Sequence, residues 1–409
     1  MTKSSRSARL RTPLALGAAA AVAIGLAACA PGTTDAETGE APYKVGVLVG
    51  LTGSYAALGE PEEKAIRLYF EQLNEAGGID GHPVELVTAD STSSESEAVN
   101  QLRRLAVEEN VVAVLGPSSS GESIALRTFT AELKVPTISL GSANAIVEPA
   151  SEAGYIFKQY TSTNESLLAQ LEFAKEQGWT KVGILYANNA YGQDPAGLLP
   201  SVIDEVGGLE LTGSEAFDPT ATDVTAQLGT LAEGTPDVVL VWAVNPANEI
   251  VAKNADQIGF EPVLFNAPGA AGASYIEVGG SAVEGTYLQG SVVLAPESIE
   301  ESNPQFEITN QLVDAFQEAY GETAGQYAAN GWDGSLLLEN AIRAAGVPDP
   351  SDLQATRDAI RDALENSTSG VVGVNAIYTF TPEFHGSVEL GGLAVLQVVD
   401  GDFTVVKTY

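Results

Sequence analysis

The sequence is poor in the residues on which most catalytic and metal chemistry depends. It holds one cysteine and two histidines in 409 residues, so an intrachain disulfide is excluded and a His/Cys metal site has almost nothing to draw on. His82 in Gly81-His-Pro83 and His385 in Pro382-Glu-Phe-His-Gly386 read as exposed loop residues rather than catalysts or ligands. No two of the 42 glycines stand two positions apart, and glycine is never followed by lysine. The dinucleotide fingerprint and the phosphate-binding P-loop are therefore both absent, and Gly116-Pro-Ser-Ser-Ser120 does not fit the G-x-S-x-G elbow of a serine hydrolase. No cofactor is called for. Basic residues are scarce as well: 19 Lys+Arg face 54 Asp+Glu, a net charge of −35, which excludes nucleic acid as a partner because phosphates would be repelled. The acids are dispersed, as on a strongly solvated surface, and they say little about a ligand.

Long apolar runs are missing too, apart from one at the start. Lys3, Arg6, Arg9 and Arg11 form a basic head, and Pro13 to Ala28 is nearly all apolar or small, too short for a membrane span and suited to an export signal. The run ends in Leu26-Ala27-Ala28-Cys29, which resembles the bacterial lipobox, where cleavage precedes the cysteine and a diacylglycerol is attached to its sulfur. Residues 1–28 are then a signal peptide and 29–42 a flexible tether. The expected product is an exported body, lipid-anchored through Cys29 to the outer face of the cell membrane. Removing the four basic residues of the signal leaves 15 Lys+Arg against 54 Asp+Glu, or −39.

From Tyr43 onward short apolar runs alternate with helical patterns, the signature of β-α-β units and parallel sheets covered on both faces. The first series runs from the strand Lys44 to Gly50, through a helix from about Pro61, the strand Val84 to Thr88, a helix at Glu95 to Glu109 and the strand Val111 to Leu115, to a helix at Ser123 to Leu133 and the strand Thr137 to Leu140. A second series begins near Ser166. Its strands are Lys181 to Tyr186, Leu209 to Ala216, Asp237 to Trp242 and Pro262 to Asn266, with helices at Leu167 to Gln177, Gly197 to Val206, Thr222 to Leu231 and Ala247 to Ile258. Helices follow at Gln305 to Tyr320, Ala328 to Ala345 and Leu353 to Leu364, then β-rich segments at Asn375 to Phe380 and Leu393 to Tyr409. Two sheets of this size imply an α/β protein of two Rossmann-like, doubly wound lobes, and the tail must complete both.

The motifs Gly50-Leu-Thr-Gly-Ser-Tyr-Ala-Ala-Leu-Gly59, Leu73-Asn-Glu-Ala-Gly-Gly-Ile-Asp-Gly81, Leu115-Gly-Pro-Ser-Ser-Ser-Gly121, Val135-Pro-Thr-Ile-Ser-Leu-Gly-Ser142, Tyr191-Gly192-Gln193 and Gly331-Trp-Asp-Gly-Ser-Leu-Leu-Leu resemble, in order and spacing, those of the branched-chain amino-acid-binding (leucine/isoleucine/valine-binding) receptors of ABC importers. The resemblance runs from about Tyr43 to the C-terminus. It implies the type I periplasmic-binding-protein fold, with a three-segment hinge and a ligand held between the lobes. The crossings are expected near Tyr160, Gln289 and Thr379, giving lobe 1 residues 43–160 plus 290–378 and lobe 2 residues 161–289 plus 379–409. Open parallel sheets bind ligands outside the carboxyl ends of their strands, and two such edges facing each other form a cleft.

Ser118, Ser119 and Ser120 fall between a strand and a helix start, where unpaired N–H groups and serine hydroxyls suit a carboxylate; one of them also serves as the helix cap. The resemblance implies that Ser119 holds the ligand carboxylate together with Gly141-Ser142-Ala143. Two departures bear on the ligand. Amino-acid-binding relatives carry threonine where this chain has Ala143, and an acid for the ammonium where it has Pro268-Gly269. A buried ammonium without an anion is costly, so Asp333 and Glu249 are the candidate substitutes, with helix-surface or capping roles as the alternative. Tyr55, Tyr191, Trp242, Tyr327 and Trp332 are candidate aromatic walls, Trp242 and Trp332 being equally readable as core.

The expected function is that of a monomeric, non-enzymatic receptor that closes on a small carboxylate-bearing ligand and presents it to an ABC permease and its ATPase. The ligand is a branched-chain or other apolar amino acid, or an aromatic or aliphatic carboxylate. A sensing module for a signalling partner and a surface hydrolase are the alternatives.

Overall fold

The computed structural model describes residues 40–387, 389 and 391–409; the segment read as an export signal, Cys29 and most of the expected tether lie outside the described residues. Two sheets organise the chain. The first is built from β1 (Tyr43–Val49), β2 (Val84–Asp90), β3 (Ala113–Leu115), β4 (Thr137–Ser139) and β5 (Ile156–Lys158), all parallel, in the order β2-β1-β3-β4-β5. The intervening helices are α1 (Ala56–Glu75), α2 (Glu95–Arg103) and α3 (Ser120–Leu133). Val45, Val47, Val49 and Leu115 face Ile66 and Phe70 of α1, while Leu48 and Val114 on the opposite face meet Leu102, Leu105 and Leu126. Burial on both faces is why these strands read as continuous apolar runs, and each such side chain contributes about 1.5–3 kcal/mol.

The second sheet collects β6 (Lys181–Ala187), β7 (Glu210–Phe217), β8 (Val238–Trp242), β9 (Val263–Asn266), β10 (Tyr287–Ser291), β13 (Leu393–Val399) and β14 (Asp402–Thr408), in the order β14-β13-β10-β9-β8-β6-β7. The last two strands run antiparallel. Helices α4 (Thr163–Glu176), α5 (Ala190–Val206), α6 (Thr225–Glu233), α7 (Ala247–Ile258) and α8 (Ala273–Gly279) belong to this part of the chain. Of the remaining elements, α9 (Phe306–Tyr320), α10 (Gln326–Ala344) and α11 (Leu353–Ser367) precede a two-residue hairpin, β11 (Val371–Val372) and β12 (Ile377–Tyr378). Leu337, Leu338 and Ile342 of α10 and Ile360 and Leu364 of α11 enter the core of the first sheet, whereas β13 and β14 extend the second. The chain thus passes between the two bodies after Lys158, after Ser291 and between Tyr378 and Leu393.

Several boundaries differ from the sequence reading. Helix α1 begins at Ala56 and takes Pro61 inside it, α3 begins at Ser120 and α5 at Ala190. Strands β5 and β10 and helix α8 were not anticipated, because a buried lysine in β5 and the polar Gln289 and Ser291 in β10 break the apolar pattern. His385 is no exposed loop residue: it is 1 % exposed, stacks on Phe157 with ring centroids 4.2 Å apart and places Nε2 2.9 Å from Glu365 Oε2. Among the described residues no helix is long and apolar enough to cross a membrane.

Candidate functional site

A cavity of about 290 Å³ lies between the facing strand ends. Each group of lining residues follows the carboxyl end of a strand: Tyr55 after β1, Ser118 to Gly121 after β3, Leu140 to Ser142 after β4, Asn188 to Tyr191 after β6, Val244 after β8 and Gly269 after β9. Tyr160 at the first crossing and Tyr327 and Asn330 on α10 complete the wall. This is the position that open α/β sheets reserve for ligands.

The three serines have distinct local duties. Ser119 is the N-cap of α3: its Oγ accepts the Glu122 N–H at 3.3 Å and donates to Glu122 Oε2 at 2.6 Å. Ser118 Oγ accepts the N–H of Gly50 at 3.3 Å and donates to Glu62 Oε2. Ser120 Oγ accepts the N–H groups of Ser142 and Ala143 at 3.3 and 3.2 Å, tying the β3 and β4 loops together. Gly141 permits that closeness, since a Cβ there would lie 2.9 Å from Ser120 N. The N–H groups of Ser120 and Gly121, first in α3, have no intrahelical acceptor and belong to the cavity wall.

The opposite wall is joined through one glycine. Gly269 donates its N–H to the Tyr191 hydroxyl at 3.0 Å, and its carbonyl accepts the Tyr327 hydroxyl at 3.0 Å. No side chain fits at this position, because a Cβ would stand 2.1 Å from the Ala243 carbonyl oxygen. Asn189 caps α5 by accepting the Gly192 N–H at 3.1 Å, and Asp194, one turn on, accepts the Asn144 N–H at 2.8 Å and the Thr163 hydroxyl.

Of the residues singled out in the sequence, Tyr55, Ser118, Ser119, Ser142, Tyr191, Gly269 and Tyr327 are brought together at the cavity. Five are placed elsewhere. Ala143 is buried among Ile146, Val147 and Ile156. Trp242 stands behind Tyr191, ring centroids 5.5 Å apart, in the core of the second sheet. Trp332 packs edge-on against Tyr69 at 4.9 Å. Asp333 is fully buried with its carboxylate accepting the N–H groups of Val374 and Asn375, both at 2.8 Å, and the Tyr378 hydroxyl at 2.6 Å. The reason is helical phase: α10 begins at Gln326, so only its first turns reach the cavity. Glu249 is likewise buried away from the cavity, accepting the Ser274 hydroxyl at 3.2 Å.

Sequence reasoning did not find Asn188, Asn189 or Asn330, nor three buried ionisable groups behind the wall. Asn189 has a readable signal, since it precedes Tyr191-Gly192-Gln193 as a helix cap. Glu62 is fully buried, and desolvation pushes its carboxyl up to about 8 against the opposing effect of Ser118 and Asn330. Glu122 is raised for the same reason, burial. Lys158 is fully buried; Nζ donates to Ser142 O at 2.6 Å, Asn144 Oδ1 at 3.2 Å and Thr161 O at 3.0 Å, and burial lowers it to about 7 although Asp194, Glu148 and Glu165 oppose the shift. The lining residues carry a single charge, that of the exposed Glu95. Among the described residues no group of three or more His, Cys, Asp or Glu could hold a metal ion.

Two wound sheets, three crossings and a polar cavity at the facing strand ends define a two-lobed ligand-binding receptor with the type I periplasmic-binding-protein fold. Residues 42–402 match the family model described as periplasmic binding protein, and the chain belongs to that family. A curated relative, Leu/Ile/Val-binding protein homolog 7 of Brucella suis, is 25% identical over 358 residues, 84% of each chain. A solved structure titled extracellular ligand-binding receptor from Rhodopseudomonas palustris superposes with a TM-score of 0.82 at 25% identity, covering 90% of this chain and 100% of that one. The branched-chain amino acid transporter substrate-binding protein LivJ of Streptococcus pneumoniae, solved with isoleucine, shares the fold with a TM-score of 0.75 at 22% identity over 90% of this chain and 99% of its own.

Proposed function

We propose that this protein is the extracytoplasmic receptor of an ABC importer, closing without turnover on a small carboxylate-bearing solute that lacks an α-ammonium group, an aromatic or aliphatic acid. One observation supports the choice of ligand: no side chain fits at Gly269, where the resemblance puts the acid that grips an ammonium. Asp333 and Glu249, the candidate substitutes, are engaged elsewhere. On the other wall, the free N–H groups of Ser120 and Gly121 with the hydroxyl of Ser142 supply donors for a carboxylate, and Tyr55, Tyr160, Tyr191 and Tyr327 supply faces for an apolar body. A branched-chain amino acid is the second reading, favoured by the name of the Brucella relative.

The export signal, the lipid at Cys29 and a monomeric state complete the proposal, in which the permease and ATPase take the ligand from the closed receptor. The lobe boundaries follow the three crossings. A thermal-shift screen of matched pairs tests the ligand: leucine against 4-methylpentanoate and phenylalanine against 3-phenylpropanoate. Ligand binding raises the melting temperature with concentration, and the acids are expected to do so more than the amino acids. A shift confined to the amino acids refutes the des-amino reading.

A further inference from the structure

Glu62 sits on α1 with no exposed surface and approaches the cavity wall from behind. Its Oε2 takes the Ser118 hydroxyl and its Oε1 takes Asn330 Nδ2 at 3.3 Å, and both of these partners line the cavity. The Asn330 amide is itself oriented, because its Oδ1 accepts from Asn375 Nδ2 at 2.8 Å. Gly331 brings α10 against α1 at this point: a Cβ there would stand 2.3 Å from the Glu62 carbonyl oxygen.

No cation among the described residues answers this carboxyl. The ionisable groups that face it are Glu122 from the start of α3 and the phenols of Tyr160 and Tyr327. Its neighbours on α1 point elsewhere, Glu63 to Arg67 and Lys64 to Glu60 and Glu322, and Asp333 on α10 is occupied by Val374, Asn375 and Tyr378. A buried carboxyl with acidic and neutral neighbours favours its protonated form, in keeping with the upward shift to about 8.

The proton on Glu62 decides where the one hydroxyl proton of Ser118 goes. Ionised Glu62 takes it, leaving Ser118 to show the cavity only lone pairs with a negative charge behind them. Neutral Glu62 donates its own proton to Ser118 Oγ, which also accepts the Gly50 N–H, and the serine hydroxyl is then free to donate into the cavity. We propose that Glu62 is a positioning residue for an anionic ligand: held neutral, it turns the Ser118 hydroxyl into the cavity as a donor, so that the ligand's carboxylate binds together with the proton on this side chain. The inference rests on the carboxylate reading above.

The test uses the full mature chain and 3-phenylpropanoate, which stays ionised throughout, titrated calorimetrically from pH 6.5 to 9.5 in buffers of different ionisation enthalpy. Affinity is expected to be level below about pH 7.5 and to fall about tenfold per pH unit above about 8, with nearly one proton taken up per ligand bound near pH 9. Glu62→Gln, which cannot ionise, should lose this slope and bind about tenfold tighter than wild type at pH 9, a gain that a merely structural residue would not give. The same slope in the variant would assign it to another group such as Lys158 and overturn the inference. So would a wild-type profile that is flat and takes up no proton, which needs no variant to fold. If 3-phenylpropanamide binds at pH 6.5 while no carboxylate does, the amino acids leucine and phenylalanine included, the carboxylate reading fails first and takes this inference with it.

Discussion

The hydroxyl of Tyr327 donates to the carbonyl of Gly269 at 3.0 Å, joining the first turn of α10 to the loop after β9. Because α10 enters the core of the first sheet and β9 belongs to the second, this hydrogen bond spans the two bodies. The bond from Asn144 N–H to Asp194 does the same, and closure of the cleft on a ligand is expected to draw on both.

Tyr327→Phe keeps the ring and removes the bond. The net loss is about 0.5–1.5 kcal/mol, so ligand affinity should fall by roughly 2- to 12-fold, mainly through faster release. Stopped-flow dissociation of bound ligand checks this, and an unchanged release rate would remove the bond from closure.

Gly269→Asp is expected to fail as a route to an ammonium site. A Cβ 2.1 Å from the Ala243 carbonyl oxygen forces backbone movement costing about 1–3 kcal/mol. Thermal unfolding should show a lower melting temperature with no new affinity for leucine; tight leucine binding by a stable variant would contradict the packing argument.

Ser119→Ala removes the cap of α3 and the side chain that the resemblance sets against the ligand carboxylate. The cap alone costs about 0.5–2 kcal/mol of stability, and carboxylate affinity should drop by about 1–3 kcal/mol. Calorimetry beside denaturation separates the two effects, and lost stability with intact affinity would leave Ser119 a cap only.

Asp333→Ala strips three donors of their acceptor: the N–H groups of Val374 and Asn375 and the Tyr378 hydroxyl. Each buried group left unsatisfied costs about 1–3 kcal/mol, so urea denaturation should register a loss of several kcal/mol. Ligand selectivity between acid and amino acid should stay as in the wild type, because the side chain does not reach the cavity.

Lys158 gives a pH signature. Its folded-state value of about 7 lies below the ordinary lysine value of 10.5, so between those limits the unfolded chain binds more protons and this residue's contribution to stability rises with pH. Below about pH 7 both states are protonated and the contribution is constant. Wild type should therefore gain on Lys158→Met between pH 7 and 9, by at most about 1.4 kcal/mol per pH unit. Chemical denaturation of both proteins across that range measures the difference, and a stability of wild type minus variant that falls with rising pH would show the sign to be wrong.

The legible parts of the site were those on strand-end loops. Ser118, Ser119, Ser142, Tyr191 and Gly269 follow apolar runs that are unmistakable as buried strands, and a loop after a parallel strand has one place to go. Residues on helices were not legible in the same way. Trp332 and Asp333 stand within three residues of Asn330 in the chain, yet of the three only Asn330 lines the cavity, and which of them does so depends on where α10 starts and how it rolls against α1. Glu62, within Glu60-Pro-Glu62-Glu63-Lys64, has the composition of a solvated helix face. It is buried because Gly331 lets α10 cover it.

Local patterning by itself determined two wound sheets, most of their strands in order along the chain, and the loops that meet between them, since periodicity and turn residues act over a few neighbours. The tertiary structure alone decided which charges are taken out of water. Burial depends on elements far apart in sequence closing over the same point, and that is how Glu62, Asp333 and Lys158 acquire states that no local pattern records.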